Sequence, residues 1–337
     1  MPQSPKWPDV RWLPFGVLSI AALGLILWLG RDLTFTWDEC DFTARGWDVL
    51  QPHNEHWSTI PLLTWKTTMA MFGTASYLPF HAVLLGAYLL MAAGVYALLG
   101  GLFAVGAVAL LLFLGTGSDQ LMSAFQIMFV ESSAAGVWAL YFIERGRHAR
   151  AAVLLIVAVA SSGMGLAFLA AGMVLGALRR DRAAAWLALP VVVYGVWYVA
   201  FNSGGDVELL RVPGFVAEQL LGASAALMGL PGIVVLLVVV GVAAWRGRDP
   251  LIFACLVGIV AEFAIIGLVR DEGSARYQTT FAALALVGVG RIRWPRHRYL
   301  TVFGALVFGW ALLVNFGWLL AYPYEFAIWV TQPGRLC

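Results

Sequence analysis

Hydrophobic runs long enough to cross a lipid bilayer recur along almost the whole chain, and they limit the folds that it can adopt. A run of about 18 or more apolar residues matches the roughly 30 Å hydrocarbon core when it forms a helix. Only 12% of the residues are charged, whereas a soluble domain carries about 25%. The short alternating patterns of a transmembrane barrel are absent. The sequence therefore predicts an all-α, polytopic transmembrane helical bundle.

About eleven spans follow when each run is given the length of a bilayer-crossing helix. Residues 150–178 lie between two basic segments, so both ends of this stretch are expected on the same side of the membrane. This pattern favours a helical hairpin with its tip at Ser161-Ser162-Gly163, and a single tilted span is the alternative. The predicted spans are 13–30, 76–99, 101–116, 124–143, 150–162, 163–178, 184–201, 226–245, 250–268, 277–290 and 299–321.

The distribution of Lys and Arg sets the expected orientation of the bundle. With a cytoplasmic N-terminus, basic residues cluster inside at 145–150, 179–182 and 291–298, and the outer segments hold about half as many. The C-terminus is then extracytoplasmic, and 1–337 is expected to form one transmembrane domain without a soluble C-terminal domain. The bias towards Ala, Gly, Leu and Arg favours a bacterial inner membrane, with the loop 31–75 facing the periplasm or exterior.

The stretch TWDECDFTARGWDVLQPHNEHWSTIP, residues 36–61, contains five of the 19 acidic residues of this apolar chain. Asp38 and Glu39 form an adjacent pair shortly after the first predicted span. Mutual repulsion and poor solvation at the membrane boundary can raise the pKa of one of the two carboxylates into the range of a general base. The alternative is an ordinary solvated loop.

Two histidines follow the acidic pair in the sequence HNEHW. His53 and His56 lie on one face if this stretch is helical, and with Glu55 or Asp38 they could bind a divalent metal ion. Imidazoles also donate hydrogen bonds to a phosphate or hydroxyl group, and a purely structural role is the third alternative. The spacing differs from the HExxH order of zinc proteases.

Two arginines bracket the loop between the ninth and tenth predicted spans. The positive-inside rule does not explain Arg270 and Arg276 on the outer side. A guanidinium group matches the geometry of a phosphate, so both are candidates for phosphate binding. The alternative is pairing with the neighbouring acids Asp271 and Glu272.

Elsewhere, few ionisable groups lie in or near the predicted spans. The stretch PLLTWKTTMAMF predicts a helix along the outer interface, with Lys66 on its polar side. Glu131 and Glu262 are the acidic residues within predicted spans, where ionisable groups are functional candidates. An ion-coupled transporter usually needs more such groups and broken helices at the midplane. This distribution favours chemistry at the outer surface.

Several short blocks carry a resemblance to a known clan. The acidic pair Asp38-Glu39 after the first span, HNEHWSTIPLL, FGTASYLPF, FQIMFVESSAAG, ASSGMGLAFL and SARYQTTFAAL resemble the GT-C membrane glycosyltransferases. The acidic pair is similar to the motif of the protein O-mannosyltransferases and aminoarabinose transferases, and the other blocks resemble poorly characterised bacterial members. The resemblance covers most of the chain in its layout.

The resemblance implies a GT-C-like fold and an inverting transfer of a sugar from a polyprenyl-phosphate donor to a hydroxyl group of a glycan, lipid or protein. Asp38 would be the general base, and Glu39 would position the hydroxyl or assist Asp38. No nucleic acid partner is expected, and the only cofactor considered is the divalent metal ion. Donor-phosphate contacts are assigned to Arg276, Arg270, His53 and His56, and substrate positioning to Glu55, Trp57, Gln126, Ser161, Ser162 and Tyr277.

Two other classes of function remain open from the sequence. A transporter or lipid-linked sugar flippase would depend on Glu262 or Glu131 rather than on Asp38. A non-enzymatic membrane partner, or an inactive member of the clan, would tolerate replacement of every outer acid.

Overall fold

The computed structural model describes residues 12–201, 208–229, 232–235, 238, 241, 249–270, 277–292 and 298–330, and in these residues the chain is helical without a β-strand. The helices, numbered among the described residues, are α1 (Leu13–Leu29), α2 (Trp37–Ala44), α3 (Thr59–Phe72), α4 (Leu78–Leu99), α5 (Gly101–Leu112), α6 (Asp119–Met122), α7 (Ile127–Glu144), α8 (His148–Ser161), α9 (Gly165–Arg179), α10 (Ala188–Phe201), α11 (Val212–Met228), α12 (Pro250–Val269), α13 (Gln278–Gly290) and α14 (Arg298–Val330).

Long apolar helices make this a membrane protein by length and composition. Within the described ranges, five stretches are long and apolar enough to cross a bilayer: Leu78–Leu99, Ala124–Glu144, Ala183–Phe201, Pro250–Val269 and Val302–Tyr322. Six shorter apolar helices accompany them. The all-helical class is therefore confirmed for the described residues, and five candidate membrane-spanning helices support the membrane assignment, whereas the count of eleven spans stays a prediction. Half of the predicted span 226–245 lies outside the described residues.

The stretch 150–178 forms two helices, as its serine tip predicts. α8 ends at Ser161, Ser162 is extended, and α9 begins at Gly165. The two helices approach so closely that a Cβ atom on Gly165 would lie 2.4 Å from the backbone of Ala158. Glycine is therefore required at this contact, and the hairpin is favoured over a single span.

The predicted span 101–116 is interrupted, because α5 ends at Leu112. Two single 3-10 turns and the short helix α6 fill the chain between α5 and α7. Asn315 of α14 supports this broken segment, since its Oδ1 accepts from the backbone nitrogen of Thr116 at 3.2 Å and from the Thr116 hydroxyl at 2.9 Å. Its Nδ2 donates to the carbonyl oxygen of Leu227 at 2.8 Å. Irregular backbone inside a bundle needs such internal partners.

Helices α7, α9, α12 and α13 form the centre of the bundle and run between its two ends. At one end, which we call the ion-pair end, lie Glu144, Arg179, Asp249 and Arg291, joined by ion pairs. At the opposite end, which we call the loop end, the segment 31–75 contacts Phe125 and Phe129 at the start of α7, Gly163 before α9 and Arg270 after α12. Segments distant in sequence therefore meet at one surface, as the sequence predicted.

Candidate functional site

The short helix α2 places the acidic pair at the loop end. Its start follows the capping-box pattern T-x-x-E, with Thr36 before the first turn and Glu39 at the third helical position. One carboxylate oxygen of Glu39, Oε2, accepts a hydrogen bond from the backbone nitrogen of Thr36 at 2.7 Å. The sequence therefore contained a local signal for this helix.

The other carboxylate oxygen of Glu39 connects α2 to the bundle. Oε1 accepts from the Tyr77 hydroxyl at 2.6 Å, from the Ser123 hydroxyl at 3.3 Å and from the backbone nitrogen of Phe125 at 3.2 Å. Glu39 is only 1% exposed. Burial raises the pKa of Glu39, and the hydrogen bonds from Tyr77, Thr36 and Phe125 oppose this rise. The raised pKa expected for one member of the acidic pair falls on Glu39, and burial is its main cause.

The two acids of the pair have different surroundings. Both oxygens of Glu39 accept from protein donors, so an acceptor hydroxyl would have to displace them. Asp38 is partly exposed, and its carboxylate accepts no hydrogen bond from the described residues. The geometry therefore supports a chemical role for Asp38 and a structural role for Glu39.

The two histidines lie in a tight turn rather than a helix. His53 and His56 exchange two backbone hydrogen bonds, each of 3.0 Å, and Asn54 between them has a φ of 52°. The prediction that a helix places both imidazoles on one face is wrong. Asparagine tolerates this left-handed conformation better than most residues, which explains the turn.

The imidazoles of the turn contact different parts of the bundle. The His53 ring packs edge-on against Phe42 at 4.9 Å and Phe125 at 5.3 Å, measured between ring centroids. The His56 ring contacts Phe129 at 5.6 Å, and its Nδ1 accepts from the backbone nitrogen of Gly163 at 3.3 Å. His53 is buried, and burial lowers its pKa, helped by the positive charge of Arg45.

Glu55 and Arg270 pair with each other across the loop end. The Arg270 Nη2 atom lies 2.9 Å from Glu55 Oε2, and both side chains are roughly half exposed. Among the described residues there is no group of three or more His, Cys, Asp or Glu side chains arranged to hold a metal ion. The metal alternative for His53, His56 and Glu55 therefore finds no support. Arg276 lies outside the described residues.

Three other predicted positioning residues make structural contacts. The Trp57 ring stacks on Trp197 with a centroid distance of 5.2 Å and an interplanar angle of 6°. The Ser161 hydroxyl donates to the carbonyl oxygen of Val157 at 2.8 Å, within its own helix. Ser162 Oγ accepts from the backbone nitrogen of Met164 at 3.4 Å, at the tip of the hairpin. These contacts hold α10 and the hairpin in place.

Lys66 does not lie on a polar face. It is 4% exposed, and its Nζ donates to the carbonyl oxygen of Thr43 at 3.1 Å. The prediction that Lys66 lies on the polar side of an interfacial helix is wrong, because α3 (Thr59–Phe72) turns this side chain towards Thr43 of α2. Burial lowers the pKa of Lys66.

Gln126 and Tyr277 are buried and directly precede helices that begin at the loop end. Gln126 precedes α7 and is 5% exposed, and Tyr277 precedes α13 and is 8% exposed. The Tyr277 ring meets Phe129 with centroids 6.0 Å apart, and Phe129 also contacts His56. Phe129 therefore connects Tyr277 to His56 at the loop end, and the positioning role predicted for Gln126 and Tyr277 stays a prediction.

Polar atoms near the site lack hydrogen-bond partners within the described part of the chain. They include His53 Nε2 and Gln126 Oε1 at the loop end, and both carboxylate oxygens of Glu262 in α12. Glu131 accepts from the Thr64 hydroxyl of α3 at 2.8 Å through Oε1. The intramembrane acids therefore differ, since Glu131 ties α7 to α3 and Glu262 is buried without a described partner.

The sequence missed Tyr77 and the aromatic residues Phe42 and Phe125. Tyr77 lies 38 residues from Glu39, and Phe125 lies 86 residues from it. No local sequence pattern predicts contacts between residues so far apart in the chain. The blocks FGTASYLPF and FQIMFVESSAAG contained Tyr77 and Phe125, but their roles become visible only in the fold.

No protein-family model, no curated protein and no solved structure matches the chain. The resemblance to the GT-C glycosyltransferases therefore stays a prediction. The functional assignment depends on the geometry of the chain's own residues.

Proposed function

We propose that the protein is a membrane glycosyltransferase that moves a sugar from a polyprenyl-phosphate donor to a hydroxyl group. The main observation that supports this proposal is the arrangement of the acidic pair Asp38 and Glu39. Glu39 anchors α2 to the bundle through neutral donors, and the partly exposed Asp38 is held beside the histidine turn. A fixed carboxylate with free lone pairs at the end of an apolar bundle suits a general base for a membrane-bound substrate.

Asp38 takes the proton from the acceptor hydroxyl in this proposal. The hydroxyl oxygen forms a new bond to the anomeric carbon of the sugar. The bond between that carbon and the phosphate oxygen breaks, and its electron pair leaves with the polyprenyl phosphate. Attack opposite the leaving group inverts the anomeric centre.

The proposal places the loop end on the extracytoplasmic side of a bacterial inner membrane, with eleven spans, a cytoplasmic N-terminus and an extracytoplasmic C-terminus. The clustering of basic residues at 145–150, 179–182 and 291–298 supports this orientation. The donor phosphate is assigned to Arg276, and to Arg270 when it exchanges Glu55 for the substrate. His53, whose pKa is lowered, acts as a neutral hydrogen-bonding group at neutral pH.

The test compares Asp38→Asn with Asp41→Asn, a matched control in the same helix. Asp41 is exposed, and its replacement should leave turnover unchanged. Release of decaprenyl phosphate from a panel of decaprenyl-phosphate sugars is followed by mass spectrometry, with acceptors supplied from a bacterial envelope extract. Asp38→Asn should lower turnover by about 10²- to 10⁴-fold. Full turnover in Asp38→Asn would contradict the proposal.

Glu262 favours transport as the second candidate function. Its side chain is 0% exposed in α12, and neither carboxylate oxygen has a described hydrogen-bond partner. Ionisable groups buried in membrane helices often lie on a transport path. Reconstituted liposomes would decide, because transport of a lipid-linked sugar should stop in Glu262→Gln and continue in Asp38→Asn.

A further inference from the structure

The three cysteines of the chain differ in their chemical state. Cys40 lies in α2, directly after Glu39, and it is disulfide-bonded. Cys255 lies in α12 as a free thiol and is 1% exposed. The third cysteine of the sequence, Cys337, lies outside the described residues. Because Cys255 is free, Cys337 is the other cysteine of this chain that can be the partner of Cys40.

The position of Cys255 also separates it from Cys40. Cys255 lies in the first half of α12, which begins directly after Asp249 of the ion-pair end. A Cβ atom on Gly288 of α13 would lie 3.4 Å from the Cys255 Cβ, so this thiol is enclosed between helices. Cys40 is partly exposed at the loop end. A disulfide needs Cα atoms within about 7 Å of each other, and the two ends of the bundle do not provide this.

Helix α14 leads the end of the sequence towards α2. The Tyr322 hydroxyl donates to Oδ1 of Asp119, the first residue of α6, at 2.8 Å. Directly after α6, the Ser123 hydroxyl donates to Glu39 Oε1 at 3.3 Å, and Glu39 is the neighbour of Cys40. These contacts connect α14 to α2 through the broken segment. Tyr322 and Cys40 therefore lie at the same end of the bundle.

The sequence after α14 is long enough to return to this end. α14 ends at Val330, eight residues beyond Tyr322, which corresponds to about 12 Å of helix. The seven residues 331–337 can span about 23–25 Å when they are extended. Their reach is thus about twice the length of helix along which they have to return.

We infer that a disulfide joins Cys40 to Cys337 and ties the segment after α14 to α2. An S–S bond forms between the two residues as their thiols lose two protons and two electrons. The disulfide of a thiol oxidoreductase accepts both and is reduced to a dithiol. Disulfides of this kind form and persist in oxidising, extracytoplasmic compartments. The loop end therefore faces such a compartment, on grounds independent of the distribution of Lys and Arg.

The disulfide gives α2 a second anchor beside the hydrogen bonds of Glu39. Successive residues are about 100° apart around a helix, so Asp38 and Cys40 lie on opposite flanks of the buried Glu39. The covalent anchor holds the flank away from Asp38 and leaves the Asp38 carboxylate partly exposed. This inference goes beyond the proposed function and does not depend on the transfer of a sugar.

Peptide mapping without reduction tests the bond directly. Cells that produce the full-length protein are treated with N-ethylmaleimide before lysis, and the purified protein is denatured, alkylated and digested for mass spectrometry. We expect a linked pair of peptides that contains Cys40 and Cys337, with Cys255 alkylated. Cys337→Ser should leave Cys40 alkylated, whereas the matched control Cys255→Ala should keep the linked pair. An alkylated Cys40 in the wild type, or a link between the Cys40 residues of two copies, overturns the inference.

Thermal unfolding in detergent provides a second measurement. Cys40→Ser, Cys337→Ser and the double variant should lower the Tm by the same amount, because each of them removes the same bond. Losses that add in the double variant would contradict a bond between these two residues. The peptide map of the wild type decides the question even if a variant does not fold.

Labelling from outside the cell tests the compartment. A membrane-impermeant maleimide should label Cys40 and Cys337 in intact spheroplasts that produce Cys255→Ala, but only after reduction with an impermeant phosphine. Labelling that requires broken membranes places the loop end in the cytoplasm and overturns the assignment of an oxidising compartment. Full turnover of a lipid-linked sugar by a wild type without the linked peptides would overturn this inference and leave the proposed function intact. The linked peptides together with full turnover in Asp38→Asn would do the reverse.

Discussion

The two ends of the bundle each bury a glutamate, but they stabilise it differently. At the ion-pair end, Glu144 is 5% exposed and pairs with both Arg179 and Arg291, and Arg291 also pairs with Asp249. At the loop end, Glu39 is 1% exposed and accepts only from neutral donors. One end is a network of formal charges, and the other is a network of hydrogen bonds around a single carboxylate.

This difference separates an end held by formal charges from an end held by neutral hydrogen-bond donors. The ion-pair end joins α7, α9, α12 and α13 through Glu144, Arg179, Asp249 and Arg291, so their relative positions are held by charge. The loop end leaves buried polar atoms of His53 and Gln126 without described partners. Both ring nitrogens of His148 are likewise buried without a described hydrogen-bond partner at the ion-pair end, so the two ends differ in their formal charges rather than in their unsatisfied polar atoms.

Replacing Glu144 should have the largest effect on stability. Glu144→Ala leaves Arg179 and Arg291 close together without the carboxylate between them. Removing one partner of a buried ion pair costs about 3–5 kcal/mol of unfolding free energy. Unfolding of the detergent-solubilised protein measures the loss, with Arg31→Ala as a control at an exposed pair. A loss no larger than that of the control would mean that the ion pairs do not hold this end.

Replacing Glu39 should have the second largest effect. Glu39→Gln keeps the volume but loses acceptor capacity, so at least one of the donors from Thr36, Tyr77 and Phe125 stays unsatisfied. The expected loss is about 1–3 kcal/mol. A double-mutant cycle with Tyr77→Phe should show strong coupling between the two residues. Additive losses would contradict the hydrogen-bond network.

The stabilisation of the fold by Glu39 should also depend on pH. Its folded-state pKa is raised above 4.5, so the folded state binds the proton more tightly than the unfolded state does. The stabilisation from this proton is complete below the unfolded pKa and is lost as pH rises through the folded pKa. The stability of wild type relative to Glu39→Gln should therefore fall as pH rises above about 4.5. A difference that does not vary with pH would contradict the raised pKa.

A methyl group at the hairpin tip should have a smaller effect. Gly163→Ala puts a Cβ atom 3.0 Å from the His56 Nδ1, so the imidazole must shift. We expect the free energy of unfolding to fall by about 1 kcal/mol or less, measured by unfolding of the detergent-solubilised protein. Gly46→Ala is the matched control, because its Cβ would meet no atom within 4 Å. Equal stability of the two variants would show that the His56 imidazole accommodates the methyl group without cost.

The exposed ion pair of the loop end should have the smallest effect. Arg270→Gln breaks a pair with Glu55 in which both side chains are roughly half exposed. Such pairs contribute about 0–1 kcal/mol, and salt screens them. Thermal unfolding at low and high salt should give nearly the same stability for Arg270→Gln and wild type. A loss of stability as large as that of Glu144→Ala would show that ion pairs stabilise both ends of the bundle.

The sequence predicted the helices and the hairpin because local patterns determine them. Apolar run length marks the long helices, and the serine tip with Gly163 marks the turn between α8 and α9. The distribution of Lys and Arg along the sequence also predicted that the outer loops lie at one surface. The break after Leu112 was not predicted, because its support comes from Asn315, 199 residues from Thr116.

The contacts within the candidate site could not be predicted in the same way. Asn54 bends the histidine turn out of a helix, and only the fold brings Phe42 and Phe125 to His53. The sequence placed Lys66 on the polar side of α3, but the carbonyl oxygen of Thr43 that accepts its hydrogen bond belongs to another helix. The capping box at Thr36 and Glu39 was a readable local signal, whereas the burial of Glu39 depended on residues far along the chain.

The anchoring of α2 by Glu39 has a consequence for biosynthesis. Its partners Ser123 and Phe125 follow it by 84 and 86 residues, so α2 cannot dock when it leaves the ribosome. At about 5–20 residues per second, the partners arrive several seconds later. Before α4, α5 and the broken segment are inserted, α2 therefore remains outside the bilayer, with the Glu39 carboxylate in water. Helix α2 is synthesised before α4 to α7, but it can dock only after those helices have been inserted correctly.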